Sequence, residues 1–170
     1  RFEFAGARGY ISKGSNPVVG TESVKVQNGK IQVFTPDEIA ALLKAASPNF
    51  LPLVAIGAFA SLRAAEAGRT SWRDVDVAGG FIHVASDKAK AKARRLIPIR
   101  PNLAKWLASY AARTGMLCPA TSDELQDARA KCVKASGVKW KANALRHSFA
   151  SYRLAVTQNA ASATVEMGNS

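Results

Sequence analysis

The stretch Trp140-Lys141-Ala142-Asn143-Ala144-Leu145-Arg146-His147-Ser148-Phe149-Ala150-Ser151-Tyr152-Arg153 decides how the chain reads. Asn143 is a good N-cap, and the residues after it have helical periodicity. Leu145, Phe149, Tyr152 and Val156 fall at i, i+4, i+7 and i+11, which makes one apolar stripe. Arg146 then takes about the third helical position, where unpaired N–H groups already carry partial positive charge. A cation there is disfavoured unless an anion is bound. A surface arginine that turns away from the helix is the plain alternative.

Ser61-Leu62-Arg63-Ala64-Ala65-Glu66 repeats the arrangement. A short polar residue precedes a helix, and Arg63 lies in its first turn. Glu66, three residues on, shares a face with Arg63 and can brace it. Two arginines at two helix starts suggest one oxyanion between two guanidinium forks, a geometry that suits a phosphodiester.

Leu62-Arg63-x-x-Glu66 followed by Trp72-x-Asp74-Val75-Asp76 resembles the first arginine box of the tyrosine recombinases, the phage integrase family. Ala144-Leu145-Arg146-His147-Ser148-Phe149-Ala150 is similar to the second box. Between them, Lys90 and then Arg95-Leu96-Ile97-Pro98-Ile99 resemble the family's lysine hairpin. Met167-Gly168-Asn169-Ser170 resembles the segment just before the nucleophile. The likeness spans roughly residues 34–170 and keeps the family's order. One such box is unspecific; four in order are not.

Composition agrees with a polyanionic partner. Over 170 residues, 24 Lys and Arg stand against 12 Asp and Glu, a formal charge of +12. The longest apolar run, residues 50–60, is too short to span a bilayer. Cys118 and Cys132 imply no disulfide framework and fit a reducing cytoplasm. With only His83 and His147 beside them, a metal site is not expected. The chain opens on Arg1 and reads as a piece of a longer protein.

In order along the chain, Phe2, Phe4 and Ala5 before Arg8-Gly9-Tyr10 read as the end of a helix. Residues 12–30 are rich in Gly, Ser, Asn and Val and read as a linker, with a disordered terminus as the alternative. The resemblance makes residues 1–30 the tail of a preceding DNA-clamping domain plus that linker, and residues 31–170 a catalytic domain truncated at its C-terminus. Thr35-Pro36-Asp37-Glu38 is a capping box with proline at the first helical position, and Phe34 and Ile39 are placed as its hydrophobic staple. Residues 50–60 carry no charge and read as a buried helix. From Trp72 the period changes to two. Residues 74–77 and 81–84 form a hairpin, and residues 96–99 a third strand that Pro98 confines to an edge. Leu103, Trp106, Leu107 and Tyr110 mark a helix ending near Gly115. Thr121-x-x-Glu124 caps the next, which runs toward Ser136-Gly137, and a last helix runs from about Asn159 to Gly168. The fold class expected is mostly helical α+β with a small three-stranded antiparallel sheet.

Transesterification of a phosphodiester needs charge stabilisation, a proton for the leaving oxygen and an in-line nucleophile. Arg63 and Arg146 would meet the first need, with Glu66 supporting. By resemblance Lys90 is the general acid, and a tyrosine shortly beyond Ser170 is the nucleophile. No cofactor is implied, because a phosphotyrosine bond would store the energy for rejoining. Lys88, Lys92, Arg94 and Arg95, and the second cluster of Lys139 and Lys141, are expected on DNA phosphates. The resemblance further implies double-stranded DNA as partner, self-association of the intact parent on DNA, and a bacterial, phage or mobile-element origin. Asn143 and Asn169 stand where the family usually carries histidine, or histidine or tryptophan. Asparagine donates a hydrogen bond to phosphate but cannot shuttle a proton. Asn143 reads equally as a plain N-cap. His147 reads as structural, and Tyr110 and Tyr152 as core. The rival readings are a catalytically decayed DNA-binding relative and a basic helical RNA-binding or assembly protein. Paired helix-start arginines and few aromatics for base stacking argue against the last.

Overall fold

The computed structural model describes residues 2–12, 30–84, 95–118 and 121–167. The chain divides into two compact units, Arg1–Lys30 and Ile31–Ser170. The first holds helix α1 (Phe2–Ala7), closed by a turn in which Gly9 has φ of 73°. Most of the expected linker, residues 13–29, lies outside the described residues.

The second unit contains α2 (Pro36–Ala45), α3 (Leu51–Phe59), α4 (Ala64–Ala67), β1 (Val75–Asp76), β2 (Phe81–Val84), β3 (Arg95–Pro98), α5 (Pro101–Leu107), α6 (Ser122–Ser136), α7 (Ala144–Thr157) and α8 (Ala160–Met167). The expected class, helical with one small antiparallel sheet, holds.

Local chemistry explains the boundaries. Thr35 Oγ1 accepts the Glu38 N–H at 3.2 Å, and Glu38 Oε2 accepts the Thr35 N–H at 2.8 Å, so two donors at the start of α2 are satisfied reciprocally. Phe34 and Ile39 are both buried, as a staple requires. Thr121 and Glu124 repeat the box at α6, and Gly137 ends that helix in the left-handed region at φ 69°. Helix α3 is the central strut. Val54, Ala55 and Ile56 have no exposed surface, and α2, α4, α5 and α7 pack around them. A Cβ on Gly57 would meet Leu145 Cδ1 at 3.1 Å, so this glycine lets α7 approach α3 closely.

The sheet order is β1-β2-β3, antiparallel throughout. Ile82 pairs with Ile97 on the buried face, while Phe81 and Leu96 point outward and are exposed. Strand β3 is an edge, where Pro98 is tolerated for want of an N–H. Trp72 belongs to a 3₁₀ turn, Trp72–Asp74, rather than to the start of a strand. Its ring stacks on Tyr110 with centroids 5.6 Å apart.

Three local expectations are corrected. Helix α5 gives way to a 3₁₀ turn at Ala108–Tyr110 and stops well before Gly115, which instead sits at φ 81° and accepts the Trp72 N–H at 2.9 Å. The α7 stripe is not a core stripe along its length: Phe149 is buried, but Tyr152 is 39% and Val156 78% exposed. Asn143 stands at the N-cap position, but at φ 56° and without a side-chain cap bond.

Tyr152 has a polar task instead. Its hydroxyl donates to the Phe34 carbonyl at 2.9 Å, and fully buried Ser148 Oγ accepts the Phe34 N–H at 2.7 Å. The entry to α2 is thus tied to α7 through both backbone groups of one residue. Ser148→Ala should leave that N–H buried and unpaired, lowering stability by about 1–3 kcal/mol. Denaturant unfolding checks this, and an unchanged midpoint would contradict it.

Candidate functional site

Two tight backbone turns deliver the site arginines. After α3 the chain turns through Ser61, a buried serine at φ 56°. A non-glycine residue in that region costs roughly 1–3 kcal/mol, and such strain concentrates at functional sites. Ser61 Oγ has no hydrogen-bond partner among the described residues. Leu62 is buried and anchors the turn, which leaves Arg63 as the N-cap of the single-turn helix α4. The second turn is the one at Asn143, which starts α7 and sets Arg146 at its third residue.

Glu66 organises the charges. Its side chain is 1% exposed and accepts from two arginines. Arg63 donates its backbone N–H to Oε2 and its Nη1 to Oε1, both at 2.9 Å. Arg95, from β3, makes a fork with Nη1 to Oε1 at 3.1 Å and Nη2 to Oε2 at 2.8 Å. Burial pushes the Glu66 carboxyl upward, but the bonds from Arg95 and from the Arg63 backbone and side chain outweigh it, holding it below the ordinary carboxylate value.

Arg146 completes the cluster. Its Nη1 donates to the Ser61 carbonyl and its Nη2 to the Met167 carbonyl, the latter at 2.8 Å. Burial first, then the neighbouring charge of Arg63 and, more weakly, of Arg95, lower its pKa to about 10, with Glu66 opposing. It therefore stays protonated at neutral pH. Among the described residues, three guanidinium groups lie around one carboxylate and two of them are bonded to it, so positive charge is in excess there. An oxyanion with two free oxygens would relieve that excess, and forked donors suit it.

The remaining expected residues divide. Asn143 is exposed three residues before Arg146, and its carbonyl accepts the His147 N–H at 3.0 Å. His147 is half-buried and Lys139 exposed. Lys141, expected on phosphate, donates to both Glu38 oxygens at 2.8 Å and to the Val33 carbonyl at 3.0 Å. Arg95, also expected on phosphate, is the fork on Glu66. Lys88, Lys90, Lys92, Arg94 and Asn169 lie outside the described residues.

Arg95 had a legible signal. If Ile97 faces the core, a period of two turns Arg95 inward as well. Ser61 and the Met167 carbonyl had none, since a strained turn and a backbone acceptor leave no mark in composition. Neither tyrosine hydroxyl near this unit's core is presented for attack: Tyr110 is buried under Trp72, and Tyr152 is bonded to Phe34. Among the described residues there is no group of three or more His, Cys, Asp or Glu side chains able to hold a metal ion. No described helix is long and apolar enough to cross a membrane.

Residues 32–162 match the phage integrase family. The fold is similar to that of XerA recombinase, at 20% identity and a TM-score of 0.62, over 86% of this chain and 61% of that one. It is also similar to an integrase from mycobacterium phage Brujita, at 18% identity and a TM-score of 0.69, over 98% of this chain and 58% of that one. The chain thus spans about three fifths of the length of these two proteins. No curated protein matches it.

Proposed function

Because the chain belongs to the phage integrase family, we propose that its second unit is the phosphate-binding part of a protein that cuts and rejoins DNA at specific sites through a 3′-phosphotyrosine intermediate, with the tyrosine lying beyond Ser170. The observation that carries this reading is the cluster in which Arg63, Arg95 and Arg146 surround buried Glu66. Arg63 and Arg146 bind the non-bridging oxygens of the scissile phosphate and stabilise the charge that develops on them. Glu66, held by Arg95, fixes the Arg63 fork. Lys90 delivers the proton to the leaving 5′ oxygen. Asn143 and Asn169 donate hydrogen bonds to phosphate and transfer no proton. Lys139, with Lys88, Lys92 and Arg94, neutralises flanking phosphates. Residues 1–30 are the end of a DNA-clamping domain and its linker, and protomers associate on the DNA.

The test is covalent capture. Nicked duplexes selected from a randomised library are incubated with the protein carrying the tyrosine that the resemblance places after Ser170. A protein–DNA band that survives denaturation supports the reading. Failure to form it, even with Asn143→His, would leave a DNA-binding relative without catalysis.

Duplex affinity should also fall steeply with salt, with a log–log slope of several units for several neutralised phosphates. Fluorescence anisotropy of a labelled duplex from low to moderate salt measures it. A flat response would argue against a DNA partner.

A further inference from the structure

Helix α8 is attached to the rest of the unit in an unusual way. Its sequence, Ala-Ala-Ser-Ala-Thr-Val-Glu-Met, offers little to bury: Ala163 is its buried residue, and Val165 is 74% exposed. A single buried alanine contributes little apolar area. The chain reaches α8 through a sharp turn at Gln158, φ 51°, and Asn159 Oδ1 then accepts the Ser162 N–H at 3.0 Å. That start sets the helix direction. Its far end is held by polar contacts.

Those contacts converge on Glu166. Arg153 of α7 donates Nε to Oε1 and Oε2 at 3.1 and 3.0 Å, and Nη2 to Oε1 at 2.9 Å. Arg100, at the junction of β3 and α5, donates Nη2 to Oε1 at 2.8 Å. Glu166 is 14% exposed, so this is a largely desolvated carboxylate shared by two guanidinium groups. The next residue, Met167, presents the carbonyl that accepts Arg146 Nη2 at 2.8 Å. That bond matters because Arg146 is a half-buried cation beside two others. Among the described residues, the Ser61 and Met167 carbonyls stabilise it on one side and Glu66 at longer range.

We propose that Glu166, gripped by Arg100 and Arg153, is a positioning residue that sets the Met167 carbonyl against Arg146 and so fixes the orientation of the Arg146 guanidinium. It touches neither substrate nor reacting atoms. It acts through one peptide group, and it makes the end of α8 part of the anion site although α8 adds almost nothing to the core. Its meaning for strand cleavage rests on the recombination reading; the geometry itself does not.

The test is therefore made without DNA. The Nε–Hε signal of Arg146 is followed by NMR in the 170-residue chain and assigned by its loss in Arg146→Lys. Glu166→Gln should shift this signal and speed its hydrogen exchange at least tenfold. Exchange of α3 backbone amides should stay unchanged. Arg100→Gln and Arg153→Gln, each leaving one cation on Glu166, should give the same change in smaller measure, and they carry the test if Glu166→Gln does not fold. An unmoved Arg146 signal overturns the proposal. So does faster exchange of α3 in equal proportion, which would make Glu166 a general stabiliser. In the protein able to cleave, Glu166→Gln should then lower the single-turnover rate at saturating DNA with little change in affinity. If the Arg146 signal responds but no cleavage is found in wild type, the recombination reading fails and the positioning role stands.

Discussion

In the protein extended to carry the proposed tyrosine, Arg146→Ala should slow single-turnover strand cleavage by about 10²–10³-fold or more while the fold is kept. The cause is differential: charge on the non-bridging oxygens grows toward the transition state, so a fork aimed at them stabilises that state more than bound substrate. Arg146→Lys should recover little of the loss, because an ammonium is a point charge without the two parallel donors. The folding consequences partly cancel. Losing the guanidinium leaves the Ser61 and Met167 carbonyls unpaired, at about 1–3 kcal/mol each, but removes a half-buried cation from beside Arg63 and Arg95. Cleavage rate and thermal midpoint measured on the same preparations separate the two effects. A rate lost only in proportion to unfolded protein would refute the assigned role.

Glu66→Gln should be the most destabilising single change in the site, by about 3–5 kcal/mol, because it leaves three cations around an uncharged amide. The pH dependence has a definite sign. The Glu66 carboxyl is held below its ordinary value of 4.5, so its contribution is complete above that value and is lost as pH falls through the lower folded-state value. Wild type should therefore be much more stable than Glu66→Gln at neutral pH, and the gap should narrow on acidification below about pH 4.5. A gap of the same size at pH 7 and pH 3 would contradict the account. An added phosphate ion should stabilise Glu66→Gln at least as much as wild type, since the cluster then lacks its internal anion.

Much of this architecture is written in short-range chemistry. Thr35 with Glu38 and Thr121 with Glu124 announce their helices because a capping box satisfies its own donors locally. Pro98 announces an edge strand because a missing N–H has nowhere else to go. Residues 50–60 announce a buried helix because they carry no charge. Arg63 and Arg146 stand out as cations at helix starts, where the helix end disfavours a positive charge unless an anion is near. What stayed hidden depends on tertiary partners or on backbone strain. Asn143 has the composition of an N-cap, yet the chain enters α7 through a left-handed turn that takes its side chain out of capping range. Tyr152 fits an apolar period, yet its hydroxyl answers a carbonyl 118 residues away. Lys141 and Arg95 look like phosphate ligands in a basic run, yet each lies beside a carboxylate from a distant element. Charge counts along a sequence cannot tell a solvated cation from a paired one.

The proposed chemistry depends on Arg63 and Arg146 gripping the same phosphate. A crystal structure of this chain with a bound duplex measures it directly. One phosphate is expected, with its non-bridging oxygens at hydrogen-bond distance, about 2.7–2.9 Å, from both guanidinium groups. Arg63 and Arg146 on separate phosphates, or a duplex lying across another face with the cluster unoccupied, would contradict it.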